Sequence, residues 1–401
     1  MENMMNVIPS FEAKKTIPLL VVLAATAILF FLPNQFENPI YRHHVRAKAV
    51  VTAVDNSALR VAGLITHGDQ VCEIEVLSGK YASQRFSAHN MLLGKLEMDK
   101  IFNPGDSALV VLQPDSNGNT IIKAVMVEHY RMSLELFLLA AFGFLLIGLA
   151  GWLGFRAIVS FIFAILVFWK ILIPMMLTGY DPIIVGLFAT LLLTTVIILL
   201  VYGISRSFAS AVLGSFGGIF ITALMALYFV DAFKVHGAVL SFSEVLLYSG
   251  YSSLNLTKIF IATIFIASSG AIMDVAVDIT SAVKEVVVKK PDISRLEAVR
   301  SGLTVGRAVI GTMTTTLLLA YSSACMILMM AFVAQGVPME NILNYNYVAA
   351  EILHTMLGSF GLITVVPLTA VASGILLVGV RGEKMDKKHY KELKGNGSPF
   401  V

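Results

Sequence analysis

The chain has 401 residues, of which 57% are apolar and 14% are charged, and its formal net charge is +3. This balance excludes an ordinary soluble globular domain, in which about a quarter of the residues are charged. No basic stripe with interleaved aromatic residues accompanies the small positive charge, so the sequence gives no support to nucleic-acid binding.

Runs of apolar residues recur along the chain, and each is about 20 residues long, the length at which a helix crosses a bilayer. We predict eight such helices, at residues 17–32, 133–153, 157–177, 183–203, 208–230, 259–279, 308–333 and 356–380. The predicted fold class is therefore a polytopic α-helical membrane protein, and the lipid bilayer is its first predicted partner.

The predicted domains follow from this pattern. We expect residues 1–32 to form a cytoplasmic N-terminus and an uncleaved membrane anchor, because no small-residue cleavage site follows Leu32. Residues 33–132 are predicted to form an extracytoplasmic β-rich domain. A seven-helix membrane domain is predicted over residues 133–380, and a basic cytoplasmic tail over residues 381–401.

The segment after the first helix contains runs rich in β-branched residues, which predict strands. These runs are Val45–Asp55, Leu59–Thr66, Gln70–Leu77, Ser107–Leu112 and Thr120–Val127, with turn signals at Asn103–Asp106 and Asp115–Gly118. The pattern indicates a small all-β module, for which a barrel of the oligonucleotide/oligosaccharide-binding type is one candidate topology. Such a barrel can bind a ligand or brace the membrane part.

The distribution of Lys and Arg predicts the orientation, since cytoplasmic loops carry an excess of both. With a cytoplasmic N-terminus, the short outer loops hold only Lys234 and Lys258. The inside segments hold the remaining loop charges: Lys14, Lys15, Arg156, Arg206, the cluster from Lys284 to Arg307, and the tail from Arg381 to Lys394. Eight crossings return the C-terminus to the cytoplasm, so helix number and charge agree.

Two acidic residues lie within the otherwise apolar sixth predicted helix. Asp274 and Asp278 are four residues apart and share one face of an otherwise apolar segment. A carboxylate in hydrocarbon costs about 2.5–3.5 kcal/mol on insertion scales, so such a residue is normally paired, hydrated or protonated, and it indicates a functional site. The alternative is a structural ion pair that locks two helices together.

The seventh predicted helix carries hydroxyl groups at a matching depth. Counted from the cytoplasmic boundary at about 1.5 Å per residue, Thr312, Thr315 and Thr316 lie level with Asp274. We therefore expect Asp274 to be the titrating group and these hydroxyls to hydrogen-bond one of its protonation states.

Asp278 lies one turn lower, level with Arg307. We expect Asp278 to form an ion pair with Arg307 or to reach the interface. Small residues nearby predict a close approach of the two helices, because they let membrane helices come nearly into backbone contact. These residues are Ser269, Gly270, Gly306 and Gly311.

Two further polar patterns flank this region. Ser294 and Glu297 have the spacing of a capping box, which predicts a short surface helix over Arg295–Ser301 that ends at Gly302. Glu351 and His354 are predicted at the outer end of the eighth helix, where they are either the outer half of a proton path or ordinary interfacial residues.

No motif supports enzymatic chemistry, since the chain lacks a Walker lysine motif, a Gly-rich dinucleotide loop, HExxH and GxSxG. Two aspartates on one helix do not have the geometry of an aspartyl protease. The histidines of residues 33–132 match no metal-ligand spacing, and Cys72 and Cys325 are too far apart in the predicted topology for a disulfide. We predict no catalytic residue, metal or cofactor.

The region from Ser269 to Tyr321 resembles the signature of the YibE/F family of bacterial membrane proteins. The matching residues are Ser269-Gly-Ala-Ile-Met-Asp274, Ser301-Gly302, Gly306-Arg307, Gly311-Thr312-Met313 and Thr316 to Tyr321. The anchor, the β-module and the other helices resemble that family too. The chain departs from the pattern at Ala308 and Thr315, where relatives often carry Asp and Asn. The resemblance implies a bacterial cell membrane location and a presumption of transport, without naming a substrate.

A fainter likeness concerns the SecD/SecF and RND-type proteins, which also place an extracytoplasmic domain after helix one and an Asp in mid-bundle. It implies proton-driven work. We therefore expect a proton-coupled transporter or exporter of an unidentified small molecule or peptide, with Asp274 binding and releasing the proton. Asp and Thr oxygens suit sodium equally. The alternative is a membrane scaffold whose β-module binds a partner protein without transport.

Overall fold

The structure, a computed structural model, describes residues 13–33, 36, 44–115 and 120–379. The chain divides into two compact units, one of them Pro33–Gly151 and the other Met1–Leu32 together with Trp152–Val401. The predicted tail at 381–401 and most of the turn predicted at Asp115–Gly118 lie outside the described residues.

The first unit contains six strands. They are β1 (Val45–Asp55), β2 (Arg60–Ala62), β3 (Ile65–Val76), β4 (Arg85–Leu93), β5 (Ser107–Pro114) and β6 (Ile121–His129). The predicted strand Val45–Asp55 is confirmed. The run predicted at Leu59–Thr66 is instead the short β2 and the beginning of β3, and β4 was not predicted.

The strands close into a small barrel. β1 pairs antiparallel with β3 on one side and with β5 on the other. β6 continues from β5 and pairs with β4 in parallel at Ala88–Ala124 and His89–Val125, and β4 returns to β3. Alternate side chains point inward and form one apolar core that includes Val51, Ile74 and Phe102. The prediction of a small all-β domain is therefore confirmed as a barrel-like domain.

One buried polar network lies inside this barrel. The Gln70 side chain is fully buried and its amide nitrogen donates to Asn56 Oδ1 at 2.8 Å and to the Phe102 carbonyl at 2.9 Å. Its amide oxygen accepts from Asn90 Nδ2 and from the Phe102 backbone N–H, both at 3.0 Å. Asn90 also donates to the Lys100 carbonyl at 2.7 Å. Gln70 thus ties β3, β4 and the segment before β5 together.

The rest of the described chain is helical. The helices are α1 (Ala13–Phe31), α2 (Met132–Val167), a π-helical turn (Phe168–Leu172), α3 (Ile173–Leu177), α4 (Pro182–Tyr202), α5 (Arg206–Ala232), a 3₁₀ turn (Gly237–Val239), α6 (Ser243–Tyr248), α7 (Leu256–Lys289), α8 (Arg295–Ala324), α9 (Met326–Ala334), α10 (Met339–Leu343) and α11 (Asn346–Leu377).

Six helices within the described residues are long and apolar enough to cross a membrane. They are Met132–Leu177, Pro182–Tyr202, Arg206–Ala232, Leu256–Lys289, Arg295–Ser323 and Asn346–Leu377. Two of the eight predicted helices fall inside the 46 residues of Met132–Leu177, where Gly151 has a non-helical conformation (φ 55°, ψ −128°). The first predicted helix corresponds to a shorter apolar helix, Thr16–Phe31.

Four long helices form the packed centre of the second unit. α11 contacts α5, α7 and α8, and α5 also contacts α7. Apolar side chains of all four meet in one core cluster that includes Ile219, Ile272, Leu317 and Val365. The predicted start of the helix Arg295–Ser301 is confirmed, since the capping box at Ser294 is present. Its predicted end was wrong, because α8 continues through Gly302 to Ala324. A Cβ at Gly302 would meet Val283 at 2.9 Å and Ala370 at 3.1 Å, so this glycine serves helix packing.

Candidate functional site

The two acids lie on the outward side of α7. Ile272, Val275, Ala276 and Ile279 occupy the buried side of this helix, whereas Asp274 and Asp278 are exposed. Within the described residues, neither carboxylate accepts a hydrogen bond or forms an ion pair. α7 therefore presents, within its own unit as far as the structure describes it, two unpaired acids one turn apart on an exposed face.

The threonines lie on the exposed side of α8, and their hydroxyls bond to their own helix. Thr312 Oγ1 donates to the Val309 carbonyl at 3.0 Å, Thr315 Oγ1 to the Gly311 carbonyl at 3.3 Å, and Thr316 Oγ1 to the Thr312 carbonyl at 3.0 Å. The structure thus brings no threonine hydroxyl into a hydrogen bond with Asp274. Each hydroxyl oxygen keeps lone pairs that can accept a further bond.

The relative level of the two helices follows from their close packing. A Cβ added at Gly306 of α8 would stand 3.1 Å from Ile279 Cδ1 of α7. Because the two helices run in opposite directions, Arg307 lies at about the level of Asp278, one turn from Asp274. Arg307 is exposed, and no ion pair joins it to Asp278 in the described structure.

The four predicted packing residues separate into two groups. A Cβ at Gly306 would overlap Val366 of α11, and the Ser269 hydroxyl donates to the Ile266 carbonyl at 2.7 Å. Gly270 and Gly311 are different, since a Cβ at either would meet nothing within 4 Å. Gly306 is therefore a packing position within the chain, whereas Gly270 and Gly311 face open space.

His354, which the sequence predicted only as an interfacial residue or as part of a proton path, contacts two other helices. It lies inside α11, its Nε2 is 3.2 Å from Thr263 Oγ1 of α7, and its ring packs against Phe260 and against Tyr321 of α8. Helical spacing places Thr263 on the same side of α7 as Asp274. The Glu–x–x–His pair in the sequence was the available signal, but the contact between distant helices could not be seen in it.

A polar row therefore follows one side of α7. Its members recur at helical spacing from the His354 contact toward the C-terminal end of α7: Thr263, Gly270, Asp274, Asp278 and Ser281. At the C-terminal end of the row, Tyr202 Oη of α4 donates to the Val277 carbonyl at 2.7 Å and lies 2.6 Å from Ser281 Oγ. At about 1.5 Å per residue the row is about 27 Å long, close to the thickness of the hydrocarbon core.

A second set of hydroxyls is buried between α5, α7 and α11. Ser210 Oγ and Ser373 Oγ are 2.6 Å apart, and Thr280 Oγ1 is 3.4 Å from Ser373 Oγ. The hydroxyls of Ser215 and Thr369 are buried without a partner in the described structure. Single hydroxyls in apolar helices gave no sequence signal for this set.

Metal binding and thiol chemistry find little support in the described ranges. No group of three or more His, Cys, Asp or Glu side chains could hold a metal ion there. Cys72 is fully buried in the barrel, and this burial raises the pKa of its thiol to about 11. Cys72 and Cys325 are both free.

The long apolar helices, with unpaired acids on one of them, define an integral membrane protein with several transmembrane helices and a small β-barrel-like domain. The model of the YibE/F-like protein family matches residues 138–379. This match covers more than half of the chain, so the chain belongs to the YibE/F-like family, as the resemblance had indicated. Neither the curated proteins nor the solved structures include a match.

Proposed function

We propose that this protein is a membrane transporter or exporter, coupled to protons through Asp274. The observation that carries the proposal is the pair of carboxylates on α7 that have no ion-pair or hydrogen-bond partner in the described structure. In a membrane-spanning helix such groups are costly, so they are normally retained for function. A structural lock would require the partner that is missing here.

The surroundings of Asp274 suit a proton or ion path. Gly270 and Ser281 continue the row on α7, and the exposed hydroxyls of α8 lie beside it. The Thr263–His354 contact adds a titratable group at the upper end of the row. Protonation of Asp274 would change the contacts of its helix face, which is how a proton step can bias the packing of α7 against α8.

The proposed topology has eight crossings in a bacterial cell membrane, with both termini cytoplasmic. Gly151 interrupts a 46-residue helical stretch that is about twice the length needed for one crossing, so two crossings fit within it. The β-barrel is then extracytoplasmic. Its strand order, β1-β3-β4-β6-β5 with β5 closing on β1, fits the oligonucleotide/oligosaccharide-binding type.

Proton movement in proteoliposomes tests the transport proposal. Wild type should dissipate an imposed pH gradient when a transported solute is supplied, and Asp274→Asn should abolish that flux while inserting normally. Glu285→Gln is the matched control: Glu285 lies on the same side of α7 and is paired with Lys289 at 2.7 Å, so its flux should equal wild type. Thr312→Val should reduce the flux without abolishing it.

Wild-type flux in Asp274→Asn would contradict the proposal. Loss of flux in Glu285→Gln as well would show that the amide substitution acts through folding of α7. A screen of candidate solutes, small molecules and short peptides, should be run on wild type first, because a coupled transporter moves protons with its solute.

A second candidate function is a membrane scaffold whose barrel binds a partner protein. It is favoured by exposed apolar side chains around the β2–β3–β4 end of the barrel. These are Val61, Leu64, Ile65, Met91, Leu93, Leu96 and Met98. His67 pairs with Leu93 in the sheet, and Gly94 approaches Ile65, so these side chains share one region.

The scaffold reading predicts that charges in this region remove a partner. The double variant Met91→Lys/Leu93→Lys should lose a protein that co-purifies with the full-length chain. Ile122→Lys, at an equally exposed apolar position on β6, should retain it. Transport unaffected by Asp274→Asn together with loss of the partner in the double variant would favour the scaffold over the transporter.

A further inference from the structure

A pocket of about 180 Å³ lies where α5 begins and where α7 and α11 approach their C-terminal ends. Its polar lining consists of Ser205, Arg206, Ser207 and Lys284, and the rest of its wall is apolar. We call it the α5 pocket. All of its lining residues belong to the same compact unit, and none of them is acidic. The α5 pocket is therefore a basic cavity built within one unit of the chain.

The N-terminal end of α5 supplies backbone donors to this pocket. Ser205 precedes the helix, and its hydroxyl accepts a hydrogen bond from the Phe208 N–H at 3.2 Å. The N–H groups of Arg206 and Ser207, the first two residues of the helix, have no acceptor within α5. They carry the positive end of the helix dipole, about half an elementary charge. Together these features favour an anion, and phosphate in particular.

Ser207 gives an independent indication that a ligand belongs there. The residue is only 3% exposed, and it lines the pocket. Its hydroxyl forms no hydrogen bond in the part of the chain that the structure describes. Buried hydroxyls are normally hydrogen-bonded, so this one lacks a partner that a ligand in the pocket would supply.

Two cations from different helices complete the lining. Arg206 and Lys284 are exposed, and neither forms an ion pair within the described residues. By contrast, Lys289, farther along α7, is paired with Glu285 at 2.7 Å. The C-terminal end of α11 adds only about half a negative charge, so the two full positive charges and the N-terminus of α5 outweigh it.

We propose that the α5 pocket binds a phosphate group, carried either by a phospholipid headgroup or by a soluble phosphate compound. Arg206 and Lys284 would neutralise its charge, while the Ser207 hydroxyl and the first N–H groups of α5 would donate hydrogen bonds to its oxygens. These three residues lie just outside the predicted apolar spans 208–230 and 259–279, at the level where headgroups meet water. The site does not involve Asp274, so the flux experiment does not decide it.

A bound phosphate should stabilise the helix bundle. The pocket lies about one helical turn from the buried hydroxyls of Ser210, Thr280 and Ser373, which join α5, α7 and α11. A phosphate held by Arg206 and Lys284 would join α5 to α7 a second time. Because a ligand that binds only the folded state stabilises it, phosphate should raise the melting temperature of the protein.

Titration of the full-length protein with inorganic phosphate tests the site. The protein is held in maltoside micelles, which contain no phosphate, and calorimetry measures the affinity. Arg206→Gln and Lys284→Gln should each weaken binding by about tenfold, since each removes a charged partner, and Ser207→Ala should weaken it less. Arg300→Gln is the matched control: it removes an exposed cation of α8 that does not line the pocket, so its affinity should equal wild type.

Phosphatidic acid, an anionic phospholipid, distinguishes the two sources of phosphate. If the pocket takes a headgroup, phosphatidic acid added to the micelles should prevent inorganic phosphate from binding. Native mass spectrometry should then find the lipid retained by wild type and by Arg300→Gln, and lost from Arg206→Gln. If the source is soluble, inorganic phosphate should bind equally with and without this lipid.

Three results would overturn the proposal. The first is that wild type binds neither inorganic phosphate nor phosphatidic acid. The second is that Arg206→Gln or Lys284→Gln binds them as tightly as wild type. The third is that Arg300→Gln loses as much affinity as the pocket variants, since net charge alone would then explain the effect. Melting temperatures without phosphate should be equal in all variants, because exposed side chains contribute little to stability.

Discussion

Replacing Gln70 by Leu should destabilise the barrel far more than its change in size suggests. Gln70 is fully buried and takes part in four hydrogen bonds, two as donor and two as acceptor. A leucine of similar volume leaves the N–H and the carbonyl of Phe102 and one Asn90 N–H without their partner inside the barrel. Each such buried group costs about 1–3 kcal/mol, which the added apolar burial offsets only in part. We expect a loss of about 3 kcal/mol.

The thiol of Cys72 reports this loss directly. It lies on β3 two residues from Gln70, is fully buried, and reacts only when the barrel opens. With Cys325 replaced by Ser, the labelling rate is proportional to the open population, so about 3 kcal/mol corresponds to about a 100-fold faster reaction. Gln113→Leu, at an exposed position on β5, should change the rate less than about threefold. A Gln70→Leu rate within threefold of the parent would refute the reasoning.

Three other outcomes follow from the same structure. Gly306→Ala should lower the melting temperature in lipid, since overpacking against Val366 costs about 1–3 kcal/mol, whereas Gly148→Ala, with open space around it, should not. Burial raises the pKa of the Cys72 thiol from 9.0 to about 11, so on raising the pH the unfolded chain loses this proton before the folded barrel does. The free energy of unfolding of the barrel should therefore fall by about 1.4 kcal/mol per pH unit between pH 9 and 11, as measured by denaturant titration. Cys72→Ala should remove that slope. Ser294→Ala should cost about 1 kcal/mol and increase hydrogen exchange in the first turn of α8.

Local patterns predicted the elements whose side chains alternate or recur regularly. β1 is rich in valine and alternates apolar and polar residues in its first half, and its bounds were predicted correctly. β4 escaped prediction because Asn90 occupies an inward position, where Gln70 and the Lys100 carbonyl satisfy it. An asparagine in a sequence favours the prediction of a loop, because the hydrogen-bond partners that permit its burial lie elsewhere in the chain.

The candidate site was predicted in its residues and only partly in its contacts. Asp274 was recognised because an acid in an apolar segment is a local signal. The end predicted at Gly302 was wrong, because α11 packs against α8 there and a glycine accommodates it. The Thr263–His354 contact joins residues 91 positions apart, so no local pattern could have indicated it.

Titration of Asp274 is the central claim, and infrared difference spectroscopy of the protein in lipid measures it most directly. A pH step should produce a carboxylic acid signal in wild type and in Glu285→Gln, and in Asp274→Asn the same step should produce a signal that lacks the component of one carboxyl group. An unchanged signal in Asp274→Asn, or no carboxyl signal in wild type across the pH range of the folded protein, would contradict the account.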